Sequence, residues 1–432
     1  MKLSKVTVSA IFLLFTSIIL SAQNVNEAQL LILNGEYQKA IDILQKTDKD
    51  SNASLLLANA FENIGRYDSS SVYYVKALEK DSLNVSTLKG LARSYSALGF
   101  IGKATSSIAE AVRLDSLDVS TRLMYANILK KGNSSEDALE QYKWLVRYDS
   151  TNSYYWEIFA DCAISINDYI SAVIAYSNSL SLNQKNLPLC VKYYKTLIAM
   201  QYPKDTIYKL VNQRVENIDS NYVPLLQIKG KLEIDLDKYK MAYSTFSRIE
   251  NLGDSSFFTL KYLGISLFHN DYYYQADDVL SKAYAMDSSD AFMNFVYAKA
   301  MLQIGDRQKA IGVADNVLHS FDQNYALLAL IYELKGDIYF GNQDYKKAEE
   351  NYLTMLKYSS DDESTLYKMC GFYYQQKDVY KTKDFAEKYL KLVDEKYAQD
   401  TAKLREMQSR ANFFLNKSKV EIFFLDKLPE TH

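Results

Sequence analysis

The chain has 432 residues, with 50 Lys and Arg against 53 Asp and Glu, which gives a formal net charge of −3. Nucleic-acid binding requires a basic stripe, so this small excess of acid argues against a nucleic-acid partner. Only 14 Gly and 4 Pro are present, and we therefore expect helix interiors that are seldom interrupted.

The first 23 residues are typical of a secretory signal peptide. Lys2 and Lys5 give a positive start, Val6–Leu20 is a largely apolar run, and Ser21–Gln23 supplies small residues for cleavage. The alternative, an uncleaved anchor, is disfavoured because the run is short for a membrane-spanning helix. The segment resembles the signals of bacterial envelope proteins, and no Cys follows it to carry a lipid. We expect an exported protein of the periplasm or cell envelope, with no transmembrane segment in the mature chain.

Three consecutive windows of 34 residues align with one another: Ser51–Asn84, Val85–Asp118 and Val119–Asn152. A fixed period near 34 residues predicts a helix–turn–helix unit that stacks on copies of itself. Two helices that cross closely need small side chains at the crossing. The windows supply them at position 8 (Ala58, Ala92, Ala126) and at position 20 (Ser70, Ala104, Ala138).

This pattern resembles the tetratricopeptide repeat family, which prefers small residues at positions 8 and 20. The resemblance extends over nearly all of the chain after the first twenty-odd residues. It implies an all-α fold, a right-handed superhelical solenoid of about eleven helix–turn–helix repeats with a C-terminal capping helix. Position 8 also holds Ala28, Ala160, Gly230, Gly264, Ala298 and Gly336, and position 20 also holds Ala40, Ala172, Ala242, Ala276, Ala310 and Ala348.

The repeat register predicts how the chain is divided. Residues 187–222 form a degenerate repeat, because Tyr194 and Thr206 replace the small residues and Pro203 stands at the internal turn. Val420–Leu425 is apolar and β-prone, and is either a strand-like tail folded back on the array or a docking peptide. The predicted segments are a signal peptide (1–23), an N-terminal array (24–186), the degenerate repeat (187–222), a C-terminal array (223–396), and a capping helix with a tail (397–432).

Side chains that could carry out chemistry are sparse. No phosphate-binding loop, nucleophile elbow or zinc-protease motif occurs, and His269, His319 and His432 are too far apart for a metal site. The three cysteines are an odd number and form no disulfide framework, and Cys370, at position 8, should be buried. We therefore expect no catalytic residue, metal or cofactor, and no enzymatic activity.

The family resemblance implies that the first helix of each repeat lines a concave groove through positions 2, 5, 9 and 12. In the N-terminal array, Asn59, Lys89, Arg93 and Asn127 resemble in part the clamp with which some relatives hold a peptide carboxylate. The match is partial because Ser120 and Met124 stand at the clamp's other basic positions. In the C-terminal array, an aromatic row occupies inward positions: Phe258, Phe268, Phe292, Phe295, Phe340, Tyr367 and Tyr374.

Such a row marks a binding surface when it is exposed. The alternative is that these rings pack against neighbouring helices or under the tail. Two functions fit the sequence: a non-catalytic protein-interaction scaffold of the cell envelope that binds a partner segment in its groove, and a carbohydrate- or small-ligand-binding subunit of an uptake or cell-wall system. The fold alone does not name the partner.

Overall fold

The computed structural model describes residues 22–47, 51–320, 325–360 and 362–425. All but the last two residues of the predicted signal peptide, and residues 426–432 of the predicted tail, lie outside the described residues. In the described ranges every regular element is a helix, and the helices form eleven successive pairs followed by one long terminal helix. The predicted all-α repeat fold is confirmed.

Two compact units make up the chain, residues 1–207 and 208–432, and the boundary lies inside a helix of the predicted degenerate repeat. The first unit contains α1 (22–33), α2 (Tyr37–Leu44), α3 (Ser51–Asn63), α4 (Tyr67–Lys80), α5 (Val85–Ala97), α6 (Ile101–Leu114), α7 (Val119–Lys131), α8 (Ser135–Tyr148), α9 (Ser153–Ser165), α10 (Tyr169–Leu182) and α11 (Leu187–Ala199). The boundary helix is α12 (Lys204–Asn217).

The second unit continues with the remaining pairs. It contains α13 (Val223–Asp235), α14 (Tyr239–Asn251), α15 (Phe257–His269), α16 (Tyr273–Met286), α17 (Ala291–Gln303), α18 (Arg307–Ser320), α19 (Tyr325–Gly341), α20 (Tyr345–Tyr358), α21 (Glu363–Gln375), α22 (Val379–Lys396) and α23 (Thr401–Leu425). From α13 to α23 each helix packs on the next, and α13, α15, α17 and α19 also contact one another in sequence. The odd-numbered helices of this unit therefore share a face, as those of the first unit do where α3 meets α5.

Short polar side chains set the helix boundaries. The last residue of a window caps the next helix: the side chains of Asn84 and Asp290 accept hydrogen bonds from the backbone N–H of Thr87 and Met293. Within each pair, the residue at position 15 adopts a left-handed backbone, as Gly65 does at φ 78°. Residues other than Gly fill this position in several repeats: Asn133, Asn167, Gln201, Asp237, Asp271, Gln343 and Lys377.

The small residues at positions 8 and 20 are fully buried, as the crossing argument requires. Ala58 and Ala138 have no exposed surface, and Cys370 is likewise buried at position 8, where burial raises the pKa of its thiol to about 12. A large side chain from the second helix, such as Tyr74 or Tyr142, covers the crossing from position 24. Each pair thus buries the crossing of its own two helices.

The C-terminal segment differs from the prediction. α23 runs as one helix through Leu425, so the expectation of a strand-like tail at Val420–Leu425 is wrong for these residues. Local β propensity is overridden because Met407, Ala411 and Phe414 anchor the helix in the core formed with α21 and α22. α23 is therefore the predicted capping helix, and it is longer than predicted.

Candidate functional site

The polar residues predicted to line the groove of the first unit hydrogen-bond within their own repeats. The Tyr142 hydroxyl donates to Asn127 Oδ1 at 2.7 Å, and the Tyr74 hydroxyl lies within hydrogen-bond distance of both Asn59 Oδ1 and Glu62 Oε2. Burial raises the pKa of both tyrosines, so each remains a neutral donor. Both Asn side chains thus serve to fix the ring that covers the helix crossing.

The two predicted cations of this unit are also paired. Lys89 Nζ lies 2.8 Å from Asp118 Oδ2 and 2.7 Å from Ser120 Oγ, and this contact holds the pKa of Asp118 well below its usual range. Arg93 forms a two-pronged contact with Glu62, and this hydrogen bonding raises the pKa of the guanidinium. The charge available for a partner's carboxylate is therefore reduced at both positions.

Arg93 and Asn127 nevertheless border the same cleft, of about 540 Å³, between α5 and α7. Its floor is apolar, and Lys131 Nζ at its rim donates to the Ser96 carbonyl at 2.6 Å. The cleft brings two of the four clamp-like residues together, whereas Lys89 and Asn59 are not among its lining residues. The lining consists of Arg93, Ser96, Ala97, Ser120, Leu123, Met124, Asn127, Ile128 and Lys131.

A charged cluster that the sequence reasoning missed recurs at one face of each unit. In the first unit, Lys192 Nζ on α11 lies 2.8 Å from both Glu157 and Asp161 on α9, and the Tyr176 hydroxyl donates to Asp161 at 2.6 Å. The second unit repeats the arrangement at the same spacings, with Lys368, Glu333, Asp337 and Tyr352. We call each set an inter-repeat clasp. The shared spacing of Glu, Asp, Tyr and Lys was the sequence signal that could have revealed it.

Three of the predicted aromatic residues belong to the packing of the second unit. Phe340 meets Phe372 edge to face at 5.9 Å between ring centroids. Tyr367 and Tyr374 each meet Phe414 of α23 at 5.7 Å. These three rings thus contact rings of neighbouring helices, and Tyr367 is still 39% exposed.

The other four rings form a different set on α15 and α17, which we call the phenylalanine patch: Phe258, Phe268, Phe292 and Phe295. Phe292 is 50% exposed, and Phe258 is 37% exposed with its ring edge to face on Tyr262 at 4.7 Å. Phe268 and Phe295 are half-buried. Lys299 Nζ lies 5.7 Å from the Phe268 ring centroid and 5.4 Å from that of Phe295. Such distances are those of a cation–π interaction.

Phe292 also borders a cleft of about 490 Å³ at the N-terminal end of α17. Leu327 and Leu330 of α19 form its apolar wall, and the Lys261–Asp290 ion pair closes one side. The patch therefore combines exposed rings, a concave apolar surface and one lysine held between rings, which is the usual composition of a protein-binding surface.

A metal site or a membrane-spanning helix in the described part of the chain would point to another functional class. Within those ranges no group of three or more His, Cys, Asp and Glu side chains is placed to hold a metal ion. Among the helices described, none combines the length and the apolar character needed to cross a membrane. The perturbed tyrosines described above, such as Tyr142, owe their raised pKa values to burial in the repeat core.

Comparisons with known proteins agree with the repeat register. Residues 326–362 match the family model for the tetratricopeptide repeat. A TPR repeat-containing protein of Methanocaldococcus jannaschii is 22% identical over 348 residues, which cover 79% of this chain and 56% of that protein. The chain thus spans about half the length of this curated relative. The matched segment and this relative support the tetratricopeptide interpretation.

The chain is also similar to two solved structures. The crystal structure of the APC/C hetero-tetramer Cut9–Hcn1 is 15% identical and aligns over 90% of each chain, with a TM-score of 0.37. The crystal structure of MamA protein is 16% identical and aligns over 38% of this chain and 90% of its own, with a TM-score of 0.35.

Proposed function

We propose that this protein is a non-catalytic interaction scaffold of the bacterial cell envelope, and that its phenylalanine patch captures a segment of a partner protein. The observation that supports the proposal is Phe292, which is 50% exposed and has no ring–ring contact in the described residues, whereas Phe340 and Tyr374 pack against other rings. The core of each repeat is completed by positions 8, 20 and 24, so the Phe292 ring is not needed for the stack. Exposed rings that a fold does not need are best explained by a partner.

The energetics favour a protein segment over a purely polar ligand. Aromatic anchors at the centre of an interface often contribute about 2 kcal/mol or more each when truncated. Phe292 lies at a cleft of about 490 Å³ walled by Leu327 and Leu330, which offers room for an apolar side chain of the partner. A carbohydrate could stack on the rings, but its hydroxyl groups would face the leucine wall without a hydrogen-bond partner.

Export rests on the signal-like first 23 residues. Asn24, the first residue after them, is part of the fold, because its Nδ2 lies 3.2 Å from Thr47 Oγ1. Cleavage before Asn24 would therefore remove only the first two residues of α1 and keep this contact. Mass spectrometry of the protein recovered from the envelope fraction should give a chain that begins at Asn24. An intact N-terminus in the envelope fraction would favour the uncleaved anchor, and recovery from the cytoplasm alone would remove the envelope part of the proposal.

The binding part is tested by affinity capture with a matched pair of variants. Phe292→Ala removes an exposed ring that has no ring–ring contact in the described structure, so the fold should survive. Tyr274→Ala on α16 removes a ring that is 75% exposed on an even-numbered helix. We expect a protein that wild type captures from envelope extract to be lost with Phe292→Ala and kept with Tyr274→Ala, at unchanged helicity.

Two outcomes would contradict this proposal. Equal capture by both variants would show that the patch is not the binding surface. Specific binding on a glycan array that disappears with Phe292→Ala, without any captured protein, would instead favour the carbohydrate-binding alternative.

A further inference from the structure

The lysines on the odd-numbered helices of the second unit differ in one respect, namely their ion pairing. From α13 to α21, five of the six have a carboxylate oxygen within 4 Å of Nζ, whereas Lys299 has no such partner in the described residues. The paired lysines are Lys229 with Glu233, Lys231 with Asp235, Lys261 with Asp290, Lys335 with Asp315, and Lys368 with Glu333 and Asp337.

Lys299 is instead held by the half-buried rings of Phe268 and Phe295. Aromatic faces attract a cation but do not neutralise it, so the ammonium keeps its full charge at the surface of the patch. This charge also acts on His269. Burial lowers the pKa of His269, and the nearby charge of Lys299 lowers it further. The patch is therefore an apolar surface with one uncompensated positive charge.

We propose that Lys299 is the anion anchor of the phenylalanine patch, so that the partner segment places an Asp or Glu carboxylate on Lys299 and an apolar side chain on Phe292. This inference rests on the proposed function of the patch. Rings on two sides keep water from the ion pair, which makes it stronger than an ordinary surface pair. A basic segment would be repelled at the same point, which gives the patch specificity.

The geometry limits the spacing in the partner. Phe292, Phe295 and Lys299 lie at i, i+3 and i+7 of α17, and therefore on one face of the helix. Seven residues of helix rise about 10 Å. An extended peptide covers that distance in about three residues. We thus expect the acidic residue about three positions from the apolar one.

A peptide-display selection tests the inference. A library of random dodecapeptides is selected on the purified full chain, and enriched peptides are synthesised and titrated by fluorescence anisotropy. We expect an Asp or Glu about three positions from an aromatic or aliphatic residue. Lys299→Gln should weaken binding at least tenfold, while Lys309→Gln, which alters an exposed lysine on α18, should not change it.

A double-mutant cycle separates the ion pair from other effects of the substitution. Replacing the peptide's acidic residue by its amide should weaken binding to wild type by the same factor, and should cause no further loss with Lys299→Gln. Circular dichroism of Lys299→Gln confirms that the fold is retained.

The outcomes distinguish the anchor from the proposed function. Peptides that depend on Phe292 but lack an acidic residue, or that bind Lys299→Gln as tightly as wild type, would overturn the anchor and leave the binding patch in place. Failure to enrich any peptide whose binding is lost with Phe292→Ala would overturn both.

Discussion

Replacing Gly336 by Ala tests how closely the two helices of one repeat approach. A Cβ at Gly336 on α19 would stand 2.4 Å from Tyr352 Cε1 and 2.5 Å from Cδ1. Tyr352 has little freedom to move, because its side chain is only 3% exposed and its hydroxyl is bonded to Asp337 at 2.6 Å. The added methyl group must therefore displace the ring or separate α19 from α20.

Two opposing terms set the size of the effect. Gly→Ala inside a helix gains about 1 kcal/mol from helix propensity, whereas overpacking a filled core costs about 1–3 kcal/mol. We expect a net destabilisation of up to about 2 kcal/mol. For a unit of this size, each kilocalorie lost should lower the melting temperature by about 2–4 °C.

Gly312→Ala is the matched control, because Gly312 lies inside α18 with nothing within 4 Å of the position of a Cβ. This variant should gain up to about 1 kcal/mol from propensity alone. Thermal melts followed by circular dichroism compare both variants with wild type. Shifts of opposite sign are expected. A Gly336→Ala protein that melts at or above wild type would refute the close approach of α19 and α20.

Three further substitutions or conditions probe the core and the clasps. Ala138→Phe should cost about 1–3 kcal/mol by overpacking a fully buried crossing, and Lys130→Ala should change little; equal denaturation midpoints would show the repeat register to be wrong. Burial raises the pKa of Tyr352 above its value in the unfolded chain. The contribution of Tyr352 to the free energy of unfolding is therefore complete below about pH 10 and is lost as pH rises further. Melting temperatures should therefore fall between pH 10 and 11.5, and less steeply with Tyr352→Phe; a flat profile would contradict the burial argument. Lys368→Met opens a partly exposed clasp and should lower the free energy of unfolding by about 1 kcal/mol or less. Lys388→Met, in an exposed pair within one helix, should have a smaller effect in urea titrations. The reverse order would show that the clasp adds no stability.

The sequence predicted the repeat because its signals are local. Small residues at positions 8 and 20, and polar residues such as Asn84 at window ends, each act through their own neighbours in the chain. Gly65 and Asn133 at the turn of position 15 are local signals too, because Gly and Asn tolerate a left-handed backbone. Gln343 and Lys377 adopt that turn too, and they carry no such signal, because there the tertiary packing imposes the left-handed backbone.

Features that join different repeats could not be predicted in this way. Lys192 reaches Glu157 across 35 residues, and whether two such side chains meet depends on how helix pairs are rotated against each other. The same reason explains α23. The β-prone residues after Val420 are helical because the helix is already anchored through Phe414, and that contact lies outside any local window.

The separation of structural from functional residues follows from this difference. A repeat array places equivalent side chains on one face many times, and most of those in this chain are consumed by contacts between repeats. Lys368 is held by a clasp, and the Tyr374 ring packs on Phe414 of α23. Whether a residue keeps its exposure or its charge after those contacts are made is therefore a better guide to function than its position in the repeat. Phe292 and Lys299 share one face of α17 and meet that criterion together, and for that reason the proposed binding surface is placed there rather than along the whole groove.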